Sequence, residues 1–313
     1  MNNTTVEDFE AMLSDADGCS NDVIPSFYEY ISAMTPMLMG LTALGGFLFL
    51  LTVFIYYRNL NNLVRRTPKE FLARTLLLCA IYQIVSAVAF VSILVPRAIL
   101  LCDTVAHLTF AFCTYQLIGL FIDYTAGETN YIKQANRDAY SLRTPPCCCC
   151  CCCLHARPPT KSTFLLVRTL VLQFPIVQGV LFITLNVLYV ENYKLYSQVF
   201  FYFLPFIITS ILLCIWGLNV IVRMMAPCFP ELRIRPKYFA LQFVLMMTKI
   251  QPAIGSVIVA NMDFPCWYPL TPSLYKNIIV QVVILTQMVI LSVWSQKLYR
   301  SPSKSTMKLS VLS

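Results

Sequence analysis

Three groups of residues in this 313-residue chain have the types and spacing to do chemistry: a lysine inside an apolar run, an aspartate–histidine pair, and a run of thiols. Lys249 stands in a long apolar stretch and is followed by Gln251-Pro252. Proline removes a backbone donor and frees a carbonyl, so a cation beside a bent, partly unpaired helix can hold an anionic solute. The same cation can equally pair with an acid such as Asp103, or snorkel, and simply tie helices together. Asp103 and His107 are spaced i, i+4 and share a face, which suits a proton relay or a polar contact between helices. Gln173, Pro175, Gln178 and Gly179 on another apolar run suit a polar path or close helix approach.

The thiols are contiguous: Cys147, Cys148, Cys149, Cys150, Cys151, Cys152 and Cys153 lie between Pro145-Pro146 and Arg157-Pro158-Pro159. The prolines keep the segment from being helical. Adjacent thiols cannot all face one core, and zinc sites use separated pairs that present ligands tetrahedrally, so metal binding fits poorly. Beside a membrane, on its cytosolic side, the run reads as an S-acylation platform. Each acyl chain adds about 0.8 kcal/mol per buried methylene, and the basic flanks suit an anionic inner leaflet. Metal binding and an inert low-complexity tract are the competing readings.

The elements that must position these residues are membrane spans. The chain is 58% hydrophobic and only 12% charged, outside the range of ordinary soluble domains. Crossing the hydrocarbon takes about 20 apolar residues. Seven segments qualify, about 31–57, 75–95, 98–122, 164–189, 198–222, 238–260 and 275–294. The expected fold is all-α, a polytopic seven-transmembrane helix bundle. An acidic tail (1–30) precedes the helical domain (31–294), a Cys-rich loop (123–163) interrupts it, and a short tail (295–313) follows. Residues 1–30 carry Glu7, Asp8, Glu10, Asp15, Asp17, Asp22 and Glu29 with no Lys or Arg, so no cleavable leader is expected.

Basic residues set the orientation, because short cytoplasmic loops collect Lys and Arg. One side would hold Arg58, Arg65, Arg66, Lys69 and Arg74; Lys133, Arg137, Arg143, Arg157 and Lys161; Arg223, Arg233, Arg235 and Lys237; and Lys297, Arg300, Lys304 and Lys308. The other would hold only Arg97, Lys194 and Lys276, with Arg168 and Lys249 inside spans. The N-terminus is therefore expected outside, the C-terminus inside, and the cysteine run in the cytoplasm. Sequons at Asn2 and Asn3 agree with an outer tail. Cys19 and Cys266 would share the oxidising side and can form a disulfide, with Cys102 as rival partner.

Enzyme signatures are scarce: the chain has no H-E-x-x-H, G-x-S-x-G or Walker loop. With only His107 and His155, an intramembrane metal site has too few ligands, and no metal or cofactor is expected. No basic patch with interleaved aromatics suggests nucleic acid. Gly40, Ala43, Gly45 and Gly46 read as a small-residue packing face.

Seven spans, an acidic outer tail and Pro-Pro-(Cys)7 after span three resemble the alpha subunit family of the organic solute transporter. Pro96-Arg97, Asp123 with Gly127, and the stretch Phe239-Ala240-Leu241 through Thr248-x-x-Gln251-Pro252 and Ser256-Val257 are similar to that family as well. The resemblance implies a facilitative carrier of amphipathic organic anions, such as bile acids and steroid conjugates, in the cell membrane. It also implies a single-span beta subunit as partner, palmitoylation at Cys147–Cys153, and functional roles for Gln251, Pro252 and Asp123. A seven-helix receptor and an acylated scaffold or trafficking protein without transport are the rivals. The receptor reading lacks an Asp-Arg-Tyr triad after span three, where Asp123-Tyr124-Thr125 stands, and an Asn-Pro-x-x-Tyr motif in span seven.

Overall fold

The computed structural model describes residues 25–124, 161–227, 230–261 and 270–299. Asn2, Asn3, Cys19, Cys266 and the run Cys147–Cys153 lie outside the described residues. The described chain is helical: α1 (Phe27–Ser32), α2 (Pro36–Arg66), α3 (Lys69–Leu94), a 3-10 turn (Pro96–Ala98), α4 (Ile99–Tyr124), α5 (Lys161–Glu191), α6 (Tyr193–Met225), a second 3-10 turn (Pro230–Leu232), α7 (Ile234–Asn261) and α8 (Pro272–Leu298). Helices α2 to α8 are long and apolar enough to cross a membrane.

The first expected span, 31–57, is divided. Helix α1 ends at Ser32 and α2 begins at Pro36, because the Thr35 side chain accepts from Leu38 N–H and Pro36 fits the first helical turn. Helix α2 then runs on to Arg66, whose neighbour Arg65 also sits in the last turn. The other six helices run a few residues past the apolar windows at most ends, since charged and capping residues continue the helix into water; α3 ends at Leu94 and α4 starts at Ile99, each one residue inside its window, at the turn Pro96–Ala98. Before the break, Ser26 N–H donates to Glu29 Oε2 (2.7 Å) and Glu29 N–H to Ser26 Oγ (3.4 Å), a capping box. The Ser26 backbone hydrogen bond, then its hydroxyl, holds the Glu29 carboxyl below its ordinary value.

Helices α3, α4 and α8 form the inside. Of their most apolar stretches 50%, 56% and 44% is buried, against 11% for α7. Helix α3 packs against α2, α4 and α8; α8 also packs on α2 and α7; α4 carries α5, and α6 packs along α5. Leu78, Ile81, Tyr82 and Val85 of α3 meet Phe110, Leu117 and Phe121 of α4 and Leu285 and Met288 of α8 in one core. Outward stripes such as Ile176, Val180, Ile183 and Val187 on α5 are exposed as a lipid-facing surface would be.

Lipid tails are as apolar as these cores, so helix association rests on close packing and interhelical hydrogen bonds. A Cβ at Gly45 would sit 3.1 Å from Ile93 Cδ1, and one at Gly46 3.4 Å from Phe90, so these two glycines let α2 approach α3. Gly40 faces open space and is not part of that contact. At Gly217 a Cβ would lie 3.0 Å from Val171 Cγ2 and 3.3 Å from the Val167 carbonyl, which fixes α6 tightly on α5. Gln296 Nε2 donates to Ile55 O (3.1 Å) between α8 and α2, and Asn186 Nδ2 donates to Thr104 Oγ1 (2.5 Å) between α5 and α4.

Candidate functional site

Lys249 of α7 reaches across to Asp103 of α4, with Nζ 2.8 Å from Oδ1 and 2.9 Å from Oδ2. The ammonium also lies 5.3 Å from the centre of the Phe182 ring of α5, so one cation joins three helices. Asp103 is barely one turn into α4, whereas residues 250–261 of α7 continue beyond Lys249. At 1.5 Å per residue that is roughly 18 Å of helix. The α3–α4 turn is therefore recessed, and the far half of α7 stands above it, with Ile250, Ile254, Val257 and Ile258 exposed.

Pro252 sits inside α7 and cannot donate to the Thr248 carbonyl, while Ser256 Oγ donates to the Pro252 carbonyl at 3.0 Å. Next to the ion pair, Asp103, Thr248, Pro252 and Gln281 line a small cavity of about 40 Å³. That volume holds water and not a solute.

The larger space lies on the other side of Gln251. A groove of about 750 Å³ runs between α7 and α8 toward the start of α2, walled by Ile254, Ile258, Tyr275, Ile279 and Val283. Its size is that of a small-molecule site. Gln251 and Lys276 line it, with the hydroxyl-bearing Thr35 and Tyr275. Gln251 Nε2 contacts Met247 Sδ at 3.3 Å, and its buried Oε1 has no hydrogen-bond partner. Lys276 Nζ donates to Ser256 Oγ (3.2 Å), and among the described residues it forms no ion pair. Gly255 makes room for it, since a Cβ there would sit 3.0 Å from Lys276 Cγ. An apolar slot with one cation that has no described acidic partner suits an amphipathic anion.

The sequence that builds these seven long apolar helices has a counterpart among known proteins. Residues 41–305 match the family described as organic solute transporter Ostalpha. The chain belongs to the Ostalpha family. An organic solute transporter alpha-like protein from Drosophila melanogaster is 35% identical over 278 residues, covering 89% of this chain and 85% of that protein. Organic solute transporter subunit alpha is 22% identical in Danio rerio (80% of this chain, 78% of the other) and 22% identical in Homo sapiens (88% and 83%). No solved structure matches the chain. This Ostalpha-family chain is a multi-pass membrane protein of a solute-transporter family, not of an enzyme family.

The Ostalpha match spans Asp103, His107, Asp123, Lys249, Gln251 and Pro252, but the structure does not bring them all together. Asp103, Lys249, Gln251 and Pro252 cluster where α4 meets α7. His107 shares no hydrogen bond with Asp103; its polar contact runs to another helix. It is buried against α5, with Nε2 3.2 Å from Gln178 Oε1 and its ring 4.6 Å from that of Phe182. Gln178 spends its amide donor on Ile207 O (3.1 Å), so its oxygen accepts and the His107 Nε2 carries the proton. A chain that ends on a backbone carbonyl relays no proton; it ties α4, α5 and α6. Gln173 does the same work, donating to Ser210 O (3.2 Å) and accepting from Ser210 Oγ (3.0 Å).

Asp123 lies at the opposite end of α4, roughly 30 Å from Asp103 along the helix. It accepts from Arg74 Nη1 at 2.6 Å. The guanidinium lies over Gly119, where a Cβ would come within 2.6 Å of Nη1. Cys102, the rival disulfide partner, is a buried free thiol. In the sequence Lys276 stands out only as one of three basic residues on its side of the membrane. Its signal, Gly255-Ser256 opposite the lysine, becomes visible only when α7 and α8 are set in register.

Proposed function

We propose that this chain is a facilitative transmembrane carrier of amphipathic organic anions, such as steroid conjugates or bile-acid-like solutes, in the cell membrane. The observation that carries this reading is the groove between α7 and α8, apolar along its walls and charged at Lys276. A steroid-sized body fits its volume, and the positive end of the α8 dipole adds the same sign as the lysine. The names of the relatives, two of them a subunit alpha, support a second chain, here a single-span beta-type subunit. The N-terminus faces outside in this proposal, which puts the groove on the outer half and the basic end of the bundle in the cytoplasm.

Co-expression with a beta-type subunit is expected to give sodium-independent, bidirectional flux of a labelled steroid sulfate. Flux no higher than vector with every such partner removes the transporter reading in favour of the scaffold. Acylation of Cys147–Cys153 belongs to the same proposal. Replacing all of them by serine is expected to abolish acyl-biotin exchange labelling. Persistent label would move the acyl chains to another thiol such as Cys228.

A further inference from the structure

At the end of the bundle opposite the groove, α2 and α8 part to leave a pocket of about 170 Å³. Arg58, Arg66 and Lys297 line it, with Asn59, Thr67 and Gln296 between them, and among the described residues its lining contains no carboxylate. Among the described residues none of the three cations forms an ion pair. Thr67 Oγ1 is buried there without a hydrogen-bond partner. Behind the pocket wall, Lys237 is 3% exposed, its ammonium 2.8 Å from Tyr124 OH and 5.4 Å from the centre of the Tyr299 ring. The carbonyl ends of α2 and α8 meet nearby and contribute about half a negative charge each, well short of what the side chains supply.

The pocket also continues into the lipid-facing surface. On α2 the exposed Leu50 and Phe54 lead at i, i+4 spacing to Arg58, and on α8 the exposed Ile290 and Val293 lead to Lys297. Apolar stripes that end in a cationic notch match a molecule with acyl chains and a phosphate at their end. A volume of this size admits a phosphate group and excludes a sterol-sized body.

We propose that this pocket binds the phosphomonoester of an anionic membrane-lipid headgroup, with Arg58, Arg66 and Lys297 around the phosphate and the acyl chains along α2 and α8. A phosphomonoester carries about −1.5 to −2 charge and three acceptor oxygens, which suits several cations and neutral donors better than a singly charged diester. The site is separate from the anion groove and stands or falls independently of transport.

The test uses the purified full-length chain in detergent, titrated with dioctanoyl phosphatidylinositol 4,5-bisphosphate, dioctanoyl phosphatidylcholine and inorganic phosphate. The bisphosphate lipid is expected to bind, phosphatidylcholine is not, and Arg58→Gln with Arg66→Gln and Lys297→Gln is expected to raise the Kd at least about tenfold, some 1.4 kcal/mol. Arg65→Gln with Lys69→Gln and Arg235→Gln, outside the pocket, is expected to change it less than about twofold, since exposed charges act weakly at a distance. Equal loss in both triple variants overturns the proposal in favour of general surface charge. Inorganic phosphate competing at the lipid's own concentration overturns it in favour of a free-phosphate site. Lys297→Gln alone, which keeps two of the three cations for folding, is expected to raise the Kd about threefold; an unchanged Kd counts against the site.

Discussion

Asp103→Asn lowers the melting temperature of the detergent-solubilised chain by about 5–10 °C, and adding Lys249→Gln restores most of it. The reason is the geometry of the pair. Asp103 neutralises Lys249 through both carboxylate oxygens, and removing the acid leaves an ammonium among α4, α5 and α7 with, among the described residues, only the Phe182 ring beside it. An unpaired cation at membrane depth costs about 2.5–3.5 kcal/mol, whereas replacing both partners removes the orphan as well as the pair. For a helical chain of this length the cost converts to a shift of that order. Fluorescence-detected size exclusion after heating reads it directly. If the double variant melts no higher than Asp103→Asn, the pair does not hold the helices together and Lys249 has another role.

Lys276→Gln separates charge recognition from folding. The expected result is an approximately tenfold rise in the concentration of steroid sulfate giving half-maximal flux, with a neutral steroid of the same skeleton changed less than about twofold. A charged hydrogen bond is worth about 1.5–3 kcal/mol, and partial exposure of the groove takes the lower end of that range. Lys249→Gln was the natural choice from the sequence for the same selectivity test. Its charge is already matched by Asp103, so the uncompensated cation in the groove is the better candidate for anions. Equal loss for sulfate and neutral steroid in Lys276→Gln would assign the lysine to packing across Gly255.

Much of the bundle was legible because hydrophobic length reports spans directly. Lys249 could be singled out as a cation in an apolar run, and Asp103 stood among the acids available to it. Side-chain register between helices was not legible. Whether His107 turns toward Asp103 or Gln178 depends on which face of α4 meets α5, and both residues sit on apolar helices with no strong polar face to decide it. Asp123 was grouped with the site by resemblance alone and lies at the other end of α4. In the sequence Lys237 belongs with the basic residues on one side of the membrane. It is instead buried between Tyr124 and Tyr299, because the 3-10 turn at Pro230–Leu232 and Arg233, with φ of 50°, fold the chain back beneath the bundle.

Asn192 alone joins α5 to α6, and the pair is locked by Gly217, Gln173 and Gln178 while α6 touches α7 only lightly. Among the described residues the α6–α7 seam is therefore the weaker edge of the pair, while α4 holds α5 through Asn186 and Gln178. A swing of the pair about α4 would keep the hydrogen bonds within the pair and break those that cross the seam, Asn186 to Thr104 and His107 to Gln178. Such a swing changes the area the molecule occupies in the plane of the bilayer, and so does work against the lateral pressure of the surrounding lipid.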